Sequence, residues 1–183
     1  MLYWKKINAG NYKNYCPDIL EYAKQKLNLL NAPFWNPIQI DEIKNIVPEL
    51  FEGIRKFGPV KEMAILVLKS RNHSTMHIDH TVGKNKDVQA RINFPILNVE
   101  GSRTAFFELP HPYSNLFITS SGGTKSWPEF FKNKFKPVAE TVVDSPTILR
   151  TSAIHTVYCE GENFPRVTLT ASFEQDVVKY LDE

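Results

Sequence analysis

At 183 residues the chain suits one domain with a substantial core. Its 22 Lys and Arg against 20 Asp and Glu leave a formal net charge of +2, too even a balance to call for a polyanion-binding surface, so no strong nucleic-acid signal stands out. Cys16 and Cys159 have neither metal-ligand spacing nor the density of a disulfide scaffold, Met1-Leu2-Tyr3-Trp4-Lys5-Lys6 lacks the apolar core of a signal peptide, and no apolar run nears the ~20 residues of a bilayer span; the expectation is a soluble, cytoplasmic protein with no membrane segment.

The first third reads as helical. Pro17 suits a first helical position, and Ile19, Tyr22, Ala23, Leu27 and Leu30 recur at helical spacing. Pro33, Asn36 and Pro37 mark a loop. Asp41 is placed to cap a second helix, whose apolar stripe is Ile43, Ile46, Val47, Leu50, Phe51, Ile54 and Phe57. Pro48 should split or kink that helix, and Gly58-Pro59 should end it. Both stripes read as packing surface, with no cofactor box in them.

From Val60 onward the pattern changes to strands, expected over residues 63–68, 74–80, 90–99, 103–109, 138–143, 147–150, 155–159 and 166–173. The first is a continuous apolar run, as in a strand buried on both faces. Short strands punctuated by Gly, Pro, Asn and Asp predict a sandwich or jelly roll. Two stretches read as long loops. Residues 81–89 are polar; residues 110–136 mix Ser120-Ser121-Gly122-Gly123 with Trp127, Phe130, Phe131 and Phe135. The second is either a lid or substrate-binding segment, or a short helix near 128–134 packed on the outside of the β-structure.

The chemistry concentrates on a few positions. In the extended run Met76-His77-Ile78-Asp79 side chains alternate faces, so His77 and Asp79 point the same way. An imidazole and a carboxylate so placed can hold one metal ion together, and a second imidazole from a distant strand completes a set of two histidines and one carboxylate. That set leaves coordination positions open and is the pattern of non-haem Fe(II) oxygenases. His155 is the best distant ligand, at the start of a strand that follows Thr147-Ile148-Leu149-Arg150 and a short turn. On the last strand Arg166, Thr168, Thr170 and Ser172 share one face. Arg166 offers a bidentate fork for a carboxylate, with the Thr168 hydroxyl beside it. Arg91 and Asn93 share a face in the same manner. They are placed to line the metal cavity and touch a bound acid or the substrate, with a surface salt bridge as the alternative for Arg91. His73 in a turn, His80 off the His77/Asp79 face and His111 between prolines are weaker candidates.

Met76-His77-Ile78-Asp79, Ile154-His155-Thr156-Val157 and Arg166-Val167-Thr168, in that order, resemble the signature of 2-oxoglutarate- and Fe(II)-dependent dioxygenases over roughly residues 60–174. The resemblance implies a mainly β, cupin-like jelly roll, the double-stranded β-helix. Residues 1–59 would be helical support and residues 60–175 the β-core of a single domain, with N-terminal α-helices buttressing the major sheet. It implies His77, Asp79 and His155 as catalytic metal ligands. Arg166 and Thr168 would bind the cosubstrate 2-oxoglutarate, and O2 would be the oxidant. The implied reaction is a hydroxylation with release of succinate and CO2. The strand Ala90-Arg91-Ile92-Asn93-Phe94-Pro95-Ile96 is also similar to one in the aspartyl/asparaginyl β-hydroxylase branch. There a His stands where this chain has Asn93, and the carboxylate supplied here by Asp79 is usually missing. That likeness makes a protein or peptide side chain, or an amino acid, the first substrate expectation. Two other classes stand beside it. A different cupin-type metalloenzyme usually draws on more histidines near the first pair plus a Glu, and no Glu follows in the metal strand. A non-catalytic cupin-like module would bind metal or ligand without turnover. Oligomeric state is left open by the sequence.

Overall fold

The computed structural model describes residues 1–69, 75–79, 88–120 and 123–182. His73, His80 and most of the polar loop at 81–89 lie outside the described residues.

The N-terminal third is helical in part. Strand β1 (Trp4–Lys6) precedes α1 (Cys16–Lys26), which starts with Pro17 in its first turn and buries Ile19, Tyr22 and Ala23. The helix ends at Lys26 because Leu27 turns extended, which leaves Leu30 outside the stripe and 73% exposed. The Pro33–Pro37 stretch, expected as a loop, contains β2 (Trp35–Ile38). Next come α2 (Ile40–Ile46) and α3 (Pro48–Ile54), separated at Val47 where Pro48 denies the first helix a continuation. Asp41 is not the cap: Gln39 is, with no side-chain cap bond, and Asp41 sits in the first turn, where its charge suits the helix dipole.

The remaining strands are β3 (Val60–Leu68), β4 (His77–Ile78), β5 (Arg91–Leu97), β6 (Ser102–Phe107), β7 (Ile118–Thr119) and β8 (Lys125–Ser126). After the short helix α4 (Phe131–Lys134) come β9 (Ala139–Thr141), β10 (Thr147–Leu149), β11 (Ile154–Cys159) and β12 (Arg166–Phe173). They form two six-stranded sheets, ordered β1-β10-β5-β12-β3-β2 and β7-β8-β4-β11-β6-β9. Every pairing is antiparallel. The first, major sheet turns its outer face to the helices. Ile65, Ile92, Phe94, Ile148 and Leu169 pack there with Ile19, Tyr22, Ile43, Leu50 and Ile54 in the main core.

The minor sheet's outer face is covered by the 110–136 segment: Trp127 and Phe131 pack on Met76, Ala105 and Phe107. Of the two readings of that segment, a lid or a short exterior helix near 128–134, the helix is present as α4 (Phe131–Lys134). The same segment also extends the minor sheet beside β4 through the paired β7 and β8. With both outer faces apolar, alternation leaves the polar faces of β5 and β12 pointing between the sheets. This two-sheet jelly roll with helices on the major sheet is the double-stranded β-helix.

Candidate active site

β4 is short, yet its pairing is specific: His77 lies opposite His155 on β11. The two rings sit 4.3 Å apart between centroids. Asp79 follows just past the strand, held by its own N–H donating to the Thr151 carbonyl at 3.0 Å. One ligand atom from each of His77, Asp79 and His155 falls within 4.8 Å of the others.

Each imidazole is oriented from behind. His77 Nδ1 lies 2.6 Å from the Thr75 carbonyl and His155 Nδ1 2.9 Å from the Ala153 carbonyl. A carbonyl oxygen only accepts, so Nδ1 carries the proton in both rings and Nε2 presents its lone pair to the site. His77 Nε2 is 3.3 Å from Asp79 Oδ1, so two acceptors face each other across a gap that calls for a shared cation. Burial alone would raise the Asp79 carboxyl; the hydrogen bond and charge of His77, then His155 and Arg91, outweigh it and hold Asp79 well below the usual carboxylate range. Burial likewise opposes a charge on His77, but Asp79 and the Thr75 carbonyl raise its basicity. His155 is pushed down to about 4 by burial and by the neighbouring His77. A divalent metal fits the two nitrogens and one carboxylate.

These residues open on a cavity of about 520 Å³, in the ~300–1,000 Å³ range of small-molecule sites. Its walls include Trp35, Leu66, Leu68, Leu149 and Val157, with Arg91, Asn93, Thr104 and Thr170 among the polar lining. Of the residues marked in the sequence, His77, Asp79, His155, Arg91 and Asn93 thus share one cavity. Arg166 and Thr168 do not line it. They lie further along β12 on the same inner face, beside two wall residues: Arg166 is the cross-strand partner of Leu68, and Thr168 of Leu66. Arg166 is 3% exposed and donates from Nε to the Ser102 hydroxyl of the opposite sheet at 2.9 Å. Burial lowers its pKa to about 10, and no carboxylate among the described residues offsets that. The Thr168 hydroxyl has no hydrogen-bond partner among the described residues.

Three contacts were not visible in the sequence. Ser102 meets Arg166 from 64 positions away. Glu62 pairs with Arg91 at 2.6 Å. Trp35 places its ring 4.8 Å under the Arg91 guanidinium. Glu62 had a signal: it shares the inward parity of Ala64, Leu66 and Leu68, once the strand is begun at Val60 and not at Met63.

Fold and site together define a double-stranded β-helix with a two-histidine, one-carboxylate cluster at the mouth of its cavity. Compared with protein-family profiles and with curated protein sequences, the chain matches none. Among solved structures it is similar to HygX from Streptomyces hygroscopicus with iron bound, at 9% identity and a TM-score of 0.57, over 93% of this chain and 81% of that one. It is equally similar to HygX with nickel and 2-oxoglutarate bound, at 10% identity and a TM-score of 0.56, with the same coverage. It is also similar to the epimerase SnoN in complex with Fe3+, alpha ketoglutarate and nogalamycin RO, at 11% identity and a TM-score of 0.55, over 100% of this chain and 85% of that one. At such identity the likeness establishes the fold. No helix among the described residues is long and apolar enough to cross a membrane.

Proposed function

We propose that the chain is an Fe(II)- and 2-oxoglutarate-dependent oxygenase that hydroxylates a polar substrate, such as an amino acid or a protein or peptide side chain, with release of succinate and CO2. The observation that carries this is the convergence of His77, Asp79 and His155 within 4.8 Å at a cavity. A buried Arg166, the cross-strand neighbour of the cavity wall at Leu68 and with no carboxylate partner among the described residues, agrees with it. The similar HygX and SnoN structures hold iron, or nickel with 2-oxoglutarate, or Fe3+ with alpha ketoglutarate, and support the same reading.

Iron bound with 2-oxoglutarate supplies the oxidising chemistry, using O2 to convert the cosubstrate to succinate and CO2 and to hydroxylate a C–H bond. The chain's own work is placement. His77 and His155 offer Nε2 because backbone carbonyls fix Nδ1 as the protonated nitrogen. Asp79 stays ionised and brings the one negative charge of the set. Arg166 anchors the distal carboxylate of 2-oxoglutarate through a charge-assisted fork, and Thr168 has a free hydroxyl to add. Leu66, Leu68, Leu149 and Val157 keep water from the space between metal and anchor.

The test is an anaerobic titration with Fe(II) and 2-oxoglutarate, watched for the weak visible metal-to-ligand charge-transfer band. The band is expected only with both components and not in His77→Ala. A folded protein with no band, or a band that survives in His77→Ala, would refute the assignment. SnoN is an epimerase, so reaction type is assigned by analysing the product and not by cosubstrate consumption alone.

A further inference from the structure

Among the described residues the cavity is lined by one guanidinium, that of Arg91, which shares it with the metal ligands; Arg166 lies outside its lining. Along the inner face of the major sheet, Arg166 pairs with Leu68, Thr168 with Leu66, Thr170 with Ala64 and Ser172 with Glu62. On the neighbouring strand Asn93 is opposite Thr170, and Arg91 lies one inward position further on. Arg166 and Arg91 are thus at opposite ends of the stack. Arg166 meets Ser102 at the end of β11 and β6 remote from His155. Arg91 lies at the other end, close enough for its charge to act on Asp79.

Arg91 is 1% exposed, yet its fork is far from satisfied. Nη2 donates to Glu62 at 2.6 Å, while Nε and Nη1 have no partner among the described residues. With one N–H taken by Glu62, one edge of the planar fork keeps two hydrogens for a ligand. The Trp35 ring supports one face of the guanidinium and fixes its plane. Nearby, Asn93 Oδ1, Thr170 Oγ1 and Ser172 Oγ are buried and also lack partners among the described residues. A structural ion pair would need none of this. Buried donors left unmade cost stability, so they are kept where a ligand completes them.

We infer that Arg91 is the anchor for a carboxylate of the prime substrate. The inference rests on the proposed function, in which the cosubstrate's distal carboxylate goes to Arg166. Two oxygens in a plane match the free edge of the fork, and the Thr170 hydroxyl can donate beside it, while Asn93 Oδ1, an acceptor, is left for a donor elsewhere on the substrate. The substrate is therefore a carboxylate-bearing molecule, either a free acid or an acidic side chain. Its oxidisable carbon lies on the metal side of that carboxylate.

The test uses protein loaded with Zn(II), which has no redox chemistry, and saturating 2-oxoglutarate. Ligand-observed NMR compares propionate with propionamide, and a capped aspartyl tripeptide with its asparaginyl counterpart, so that the two pairs separate a free acid from an acidic side chain. In the wild type at least one carboxylate should bind about ten-fold tighter than its amide. Arg91→Gln should erase that preference and leave 2-oxoglutarate affinity within about two-fold. Arg91→Lys, which keeps the charge and loses the fork, should retain part of it and serves if the Gln variant does not fold. Equal binding of carboxylate and amide by the wild type in both pairs would overturn the inference. So would loss of 2-oxoglutarate along with the preference in Arg91→Gln, which would make Arg91 part of the cosubstrate's site. Arg91-dependent carboxylate binding by a wild type that takes no 2-oxoglutarate would leave this subsite standing and defeat the oxygenase assignment instead.

Discussion

Arg166 and Arg91 are both buried cations, and they differ in what balances them. Arg91 has Glu62 at 2.6 Å and the Trp35 ring beneath it. Arg166 has one serine hydroxyl. Burial drops the Arg166 pKa on folding from its ordinary value to about 10, so the folded state binds that proton less tightly than the unfolded chain. The sign follows: the charged guanidinium subtracts from stability at every pH below about 10, neutral pH included. Replacing it with an apolar chain of similar length removes that penalty, and removes the anchor as well. Arg166→Met should therefore leave the melting temperature of the ligand-free protein unchanged or raised. It should weaken 2-oxoglutarate by a hundred-fold or more, the equivalent of the ~3–5 kcal/mol lost when one partner of a buried charge pair goes. Calorimetric titration and thermal unfolding of the same preparation read both effects. A variant that melts several degrees lower and still binds 2-oxoglutarate would make Arg166 a structural residue. At this scale the sequence was informative because alternation is local: the inward parity of His77, Asp79, Arg91, Asn93, Arg166 and Thr168 can be counted along each strand. Ser102 and Trp35 could not be found that way, since they meet their arginines from other strands.

At the scale of elements, short pieces at sheet edges escaped notice. β2 contains Pro37, which argues against a central strand, and it lies at one edge of the major sheet. β1 forms the other edge with three residues, too few to show any period. β5 is interior and still contains Pro95. Its register with β12 shifts there: Val167 faces Leu97 and Thr168 faces Pro95, so Ile96 of β5 is the extra residue beside that proline. The helices were easier, because their stripes are long and Pro48 is unambiguous. How closely they press on the N-terminal strand was not readable. A Cβ on Gly53 of α3 would stand 2.3 Å from the Ala9 carbonyl oxygen and 2.8 Å from its carbon. Both are backbone atoms that cannot swing aside, so Gly53→Ala must push α3 off the segment after β1. The expected cost is about 1–3 kcal/mol, the usual price of overpacking, seen as a lower midpoint in urea. α3 packs on the outer face of the major sheet, so metal affinity of the folded variant should match the wild type. An unchanged midpoint would mean that the two backbones are not held together there.

Across the whole molecule, the site is assembled from parts that alternation alone cannot bring together. Period-2 patterning says which side chains share a face and nothing about which strands pair. The resemblance of the motif order implied the fold; the order β7-β8-β4-β11-β6-β9, with two strands from the 110–136 segment, was not readable from the sequence. That order sets His77 against His155 in the minor sheet, while Arg166 belongs to the major one. On the proposed reading a metal ties β4 to β11 within one sheet, and 2-oxoglutarate links that metal to an arginine of the other. Each ligand that binds only the folded state raises stability by RT ln(1 + [L]/Kd), about 2.7 kcal/mol at a hundred times Kd. Thermal unfolding with Zn(II) should therefore show one increment, and adding 2-oxoglutarate a second that depends on the first. In Arg166→Met the metal increment should remain and the 2-oxoglutarate increment vanish; in His77→Ala both should go, because the cosubstrate has no metal to bridge from. If 2-oxoglutarate raised the melting temperature equally without Zn(II) and in Arg166→Met, it would be binding outside the space between the two sheets, and the bridge would not exist.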